Sequence, residues 1–166
     1  MSDIVIAPRP HRPFHFLLTL NTTVFGLTLW SRITNPNLYQ YKLESLVPHG
    51  EVNTWLSICA ALALIVATVA QPLIDLASDR TRSRFSRRAP YLIGGLVGVV
   101  AALIAIAVAP TITLLVLAIM FGQIASNAIQ GPWQALIPDQ LPDTQKGAAA
   151  GFKTIFERFG VIVSGF

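Results

Sequence analysis

The sequence is short of charge, cysteine and histidine, and each shortage removes a class of function. Only 12% of its 166 residues are charged, where a soluble domain usually runs about 25%. That deficit argues against a water-facing globular surface. Cys59 is the single cysteine, which excludes an intrachain disulfide and a metal site built on cysteines. It stands inside an apolar run, where a free thiol behaves as a small hydrophobe. His11, His15 and His49 are scattered without ligand spacing, so no metal is expected. There is no glycine-rich nucleotide loop, no GxSxG and no HExxH. The chain is therefore read as a non-enzyme, with no catalytic residue and no cofactor. Its net charge of +4 raises nucleic acid as a partner, but the basic residues crowd into a loop too short to form a folded binding face. No nucleic-acid partner is expected. The partner this composition points to is the lipid bilayer, whose anionic leaflet attracts basic residues at roughly 1 kcal/mol each.

What the sequence does contain is long apolar runs. Crossing the hydrocarbon takes about 20 apolar residues, and five segments qualify: about 14–31, 53–76, 91–109, 111–130 and 144–166. Buried strands would be only about 4 to 8 residues long. Helices also satisfy their own backbone in lipid. The expected fold is thus an all-α integral membrane protein with five transmembrane helices. Pro90 suits the first turn of the third. The first run is long for a signal peptide and lacks a small-x-small cleavage site, so it is read as a retained helix. The loop at 33–51, with Pro36, Pro48 and Gly50, is expected to form a cap with little regular structure.

The loops set the orientation. Arg80, Arg82, Arg84, Arg87 and Arg88 follow the second run, and short basic loops stay on the cytoplasmic side. A cytoplasmic N-terminal segment, 1–13, places Arg9, Arg12, these five arginines and Lys146 inside, with Arg32 and Lys42 outside. The plasma (inner) membrane is the expected location.

Two blocks carry a family resemblance. VAQPLIDLASDRTRSRFSRRAPY, at 69–91, is similar to the loop between helices two and three of major facilitator superfamily transporters. Within them it most resembles the sucrose and glycoside–pentoside–hexuronide:cation symporter branch. NAIQGPWQALIPDQLP, at 127–142, is similar to the end of that branch's fourth helix. Asp75 and Ser86 stand where the branch has glycines, and Ala89 replaces an arginine. By the same comparison Gln123 takes the place of an acid tied to proton coupling. Ala67 and Gln71 take the places of sodium-binding aspartates. The resemblance implies a cation-coupled secondary transporter of a sugar or similar small polar solute, working by alternating access. It also implies twelve helices in two halves around a midplane site. Five helices therefore suggest an N-terminal transporter fragment over 14–166, completed by the missing C-terminal half or another chain. The alternatives are a membrane scaffold or assembly protein, or a truncated product that transports nothing.

The candidate residues fall into three sets. Asp79, Arg80, Arg87 and Arg88 resemble the family's cytoplasmic gate motif, and Asp139 is expected to pair with Arg80 or Arg87. Asn21, Thr22 and Phe25 on the first helix, and Gln123, Asn127 and Gln130 on the fourth, are substrate-path candidates. Polar groups on a membrane helix face protein or a water-filled path, and 123, 127 and 130 share one helical face. On the fifth helix Lys153 and Glu157 stand four apart and can neutralise each other. Lys153 is expected to snorkel towards the surface, and Glu157 is the candidate for coupling to a proton or other cation. Gly147 and Gly151 form a small-xxx-small step suited to close helix packing.

Overall fold

Prolines and one threonine punctuate this chain into helices. Pro13 and Pro142, both extended, precede α1 (Phe14–Arg32) and α6 (Asp143–Val163). Pro90 sits in the first turn of α4 (Ala89–Val108). Thr111 starts α5 (Ile112–Gln140) by accepting the Leu114 N–H on its side chain, which satisfies one of the donors every helix start leaves over. The long α3 (Val52–Arg80) follows a single tight turn at His49–Glu51. The computed structural model describes residues 11–81 and 88–165, and their regular structure is all helical. Arg82, Arg84 and Arg87 lie outside the described residues.

The segment expected to be an irregular cap is instead largely helical. The chain kinks at Asn35, whose φ of −123° and ψ of 114° are extended, because a following proline disfavours the helical region. It then forms the short α2 (Tyr39–Glu44). Tyr39 and Leu43, four apart, are buried with Val52, Cys59, Ile106 and Leu115 in one core cluster. Lys42 Nζ donates to the Ala107 carbonyl at 2.8 Å, placing a cation at the C-terminal end of α4, where the helix dipole favours one. Proline and glycine content had hidden this amphipathic turn.

The helix α5 is the hub. It packs along α4 and α3, while α1 packs along α6. Glycines allow the closest approaches. A Cβ on Gly98 would lie 2.8 Å from the Ala125 Cβ, and one on Gly95 would lie 2.6 Å from Ile129 Cγ1. At Gly131 the place of a Cβ is taken by Asp75 Oδ1 of α3. The expected close packing at Gly147 and Gly151 is not found: nothing lies within 4 Å of either Cβ position. The tight glycine of α6 is Gly160, against Thr28 of α1.

Among the described residues, three stretches are long and apolar enough to cross a membrane: His49–Arg80, Ala89–Val108 and Ile112–Gln140. Their outward faces carry exposed Leu64, Ile65, Leu73, Leu96 and Val97, as lipid contact requires. With 19 and 21 residues, α1 and α6 have the length but carry more polar and charged side chains. Those polar side chains build the site.

Candidate functional site

Helices α1, α5 and α6 border an open cavity of about 380 Å³. Thr28 and Ser31 line it from α1, Gln130, Trp133 and Gln134 from α5, and Lys153, Thr154, Glu157 and Arg158 from α6. Trp133 anchors it. The indole is only 2% exposed, and its Nε1 donates to the Leu20 carbonyl at 2.6 Å, pinning α5 to α1. Lys153 Nζ lies 5.8 Å from the centroid of the Trp133 ring, within reach of a cation–π attraction. The same ammonium lies 3.6 Å from Glu157 Oε1, in the pairing their spacing implied. Lys153 thus borders the cavity with its side chain partly exposed. The cavity combines an aromatic plane, uncommitted amides and hydroxyls, and charge. These are the groups that bind a small polar solute in an apolar setting.

A second polar cluster forms where α3 ends and α4 begins. Arg88, whose side chain is 11% exposed, reaches Asp139, Asp79 and Pro132 among the described residues. Its Nη2 lies 2.8 Å from Asp139 Oδ2 and 3.6 Å from Asp79 Oδ1, and its Nη1 donates to the Pro132 carbonyl at 3.3 Å. One guanidinium therefore ties α3, α4 and α5 together. Asp139 was expected to pair with Arg80 or Arg87. Arg80 is exposed at the end of α3 and makes no ion pair with any described residue, and Arg87 lies outside those residues. Arg88 takes the role because it stands directly before the first turn of α4, which aims it back at α5. Across the same junction Thr81 Oγ1 and Tyr91 OH are 3.0 Å apart. Asp75, Ser78, Gly131 and Gln134 border a second recess there, so Gln134 touches both the cavity and this recess.

Of the residues singled out from the sequence, the cavity gathers Gln130, Lys153 and Glu157. Asn21 is fully buried between helices, its Nδ2 donating to the Leu17 carbonyl at 2.7 Å. Thr22 bonds back to the Thr19 carbonyl. Phe25 stacks on Phe159 with centroids 5.7 Å apart. Gln123 is half-buried and Asn127 is buried, both along α5 away from the cavity lining. Sequence reasoning passed over Trp133 and Gln134 as site residues. Both stand inside the 127–142 block, and a tryptophan beside two glutamines on a membrane helix was the available signal.

Residues 15–166 match the family profile described as Major Facilitator Superfamily. The chain belongs to that superfamily. The chain is 24% identical over 178 aligned residues to "Sucrose transport protein SUC4" of Arabidopsis thaliana, an alignment that takes in 96% of this chain and 34% of that protein. The chain thus spans about a third of the length of this curated relative. No solved structure matches. Membership of the superfamily accounts for the all-helical membrane architecture.

Proposed function

We propose that this chain is the N-terminal part of a secondary transporter for a sugar-like small polar solute. The N-terminal end lies in the cytoplasm and the basic α3–α4 junction faces the same side. The cavity between α1, α5 and α6 carries this reading. A stretch of bilayer-length helices has there concentrated Gln130, Gln134, Thr28, Ser31 and a buried tryptophan around about 380 Å³. Such groups supply hydrogen-bond partners and a flat face for a hydroxylated ring. The name of the sucrose transport relative points the same way. Glu157, held beside Lys153, is the group through which a proton or other cation would couple. Arg88, Asp79 and Asp139 act as a latch on the cytoplasmic side, to be made and broken as access alternates.

Binding is tested with sucrose, maltose and glucose titrated into the purified chain in lipid nanodiscs, reading tryptophan emission. A saturable change that disappears in Trp133→Phe is expected. A response from no sugar, or one that survives Trp133→Phe, would remove the cavity as the solute site. Coupling is tested by replacing Glu157→Gln and measuring counterflow against pH-driven uptake in vesicles. Counterflow should persist while the response to a proton gradient is lost.

A further inference from the structure

Trp133 borders the cavity, yet only 2% of it is exposed. A ring that stacks a solute has to show a face, and this one is covered. Part of the cover is apolar and fixed. Leu20 and Val24 of α1 are buried with the indole in one cluster, and Leu136 and Ile137 of α5 pack against it. The Nε1 donor is committed to the Leu20 carbonyl at 2.6 Å, which holds the indole in its plane. The rest of the cover is of another kind. Lys153 of α6 holds its Nζ over the ring, 5.8 Å from the centroid. Its side chain is partly exposed and borders the same cavity, so it stands on the cavity side of the indole. A lysine ammonium rides on a flexible four-carbon stem, and here it has a second partner, Glu157 Oε1 at 3.6 Å. Leaving the ring would bring it onto that carboxylate and would not strand it as an unpaired charge. A cation–π contact and a partly exposed ion pair are both weak attractions, so a modest competitor for the ring decides between them.

We infer that Lys153 is a displaceable cover of Trp133, a positioning residue that the solute moves aside to reach the indole. The ammonium and the solute compete for one face of the ring, and Glu157 takes the ammonium when the solute wins. Lys153 therefore acts against solute binding, although it lines the site. This inference rests on the reading of the cavity as a solute site and adds how access to its aromatic wall is controlled.

The experiment titrates sucrose, maltose and glucose into the chain in nanodiscs of zwitterionic lipid, with the midpoint of the change in tryptophan emission giving the affinity. Lys153→Ala removes the competitor and should tighten sugar binding about two- to fivefold, the span to which an exposed cation–π contact converts. Lys153→Arg keeps the charge and stacks better on an aromatic face, so it should weaken binding. A lysine that donated hydrogen bonds to the sugar, or that only propped α6 against α5, would lose affinity on going to alanine. That loss would overturn the inference and leave the solute site standing, as would unchanged affinity in both variants. If Lys153→Ala does not fold, the direction of the Lys153→Arg shift decides: weaker binding supports the cover, and equal or tighter binding overturns it. Acrylamide quenching gives a second reading without sugar, taken for each protein as its difference from the same protein carrying Trp133→Phe. Quenching of Trp133 should rise in Lys153→Ala. Equal quenching with and without the lysine would show that it covers nothing and would overturn the inference. Sugar binding by none of the proteins would sink both the inference and the solute-site reading.

Discussion

Arg88 Nη2 lies 2.8 Å from Asp139 Oδ2, joining the start of α4 to the end of α5. The two partners are unequal. The Asp139 side chain is 58% exposed and that of Arg88 is 11% exposed, so solvent screens the acid far more than the base. Removing the acid should cost only what a surface pair is worth, about 0 to 1 kcal/mol. Removing Arg88 also strips a donor from the Pro132 carbonyl and a cation from Asp79, and hydrogen bonds to charged groups are worth about 1.5 to 3 kcal/mol. Thermal unfolding in detergent should therefore rank Arg88→Ala well below Asp139→Asn. Equal losses would mean that the pair with Asp139 is all that Arg88 does.

A Cβ on Gly131 would meet Asp75 Oδ1 and lie 3.0 Å from Gln71 Nε2, both the far ends of side chains that can swing aside. Gly131→Ala should therefore destabilise by about 1 kcal/mol, the low end of overpacking, through the displaced Asp75 carboxylate. Asp75→Ala alone should be tolerated, and adding it to Gly131→Ala should recover most of the loss. A double variant no more stable than Gly131→Ala would show that the clash lies elsewhere.

Asn21 is fully buried and its Oδ1 has no hydrogen-bond partner among the described residues. An orphaned buried acceptor costs about 1 to 3 kcal/mol. Asn21→Leu should hold or raise the unfolding temperature and leave sugar binding unchanged, because Asn21 is not among the cavity's lining residues. Loss of binding in a folded Asn21→Leu protein would bring Asn21 onto the solute path after all.

Tyr39 lies in α2, between the membrane-length helices. Burial pushes its phenol above the ordinary value of 10.0, against a smaller opposing effect of its hydrogen bond with Thr34. The folded state therefore favours the neutral phenol. Its contribution to stability is complete below about pH 10 and is lost as pH rises from there through the folded value. Unfolding measured from pH 8 to 11 should show a decline in this chain that is smaller in Tyr39→Phe. Parallel curves would mean that the phenol ionises as easily folded as unfolded.

Several of these features were legible in the chain itself. Lys153 and Glu157 pair because an interval of four puts them on one helical face whatever surrounds them. The basic junction after α3 could be placed from its arginines, but the one that binds could not be chosen. Arg80, Arg87 and Arg88 are chemically identical, and only the start of α4 directs Arg88 at α5. Gly147 and Gly151 have the spacing of a packing step, yet they face open space. Gly131, which carries no such pattern, meets Asp75. Spacing defines a helical face, whereas the rotation of that helix in the bundle decides what the face meets.

The sequence by itself determined a membrane-embedded, all-helical chain, because apolar length and the cost of unpaired backbone in lipid leave few other solutions. It also determined the family, through two blocks whose order and residues survive without any coordinates. Tertiary structure alone decided which polar groups share a cavity. Trp133 and Gln134 come from α5 and Lys153 and Arg158 from α6, and α6 is held in place by its packing on α1, from Phe25 against Phe159 to Thr28 against Gly160. The position of Lys153 over Trp133 was invisible in the sequence, because the two stand on different helices and meet only through tertiary packing.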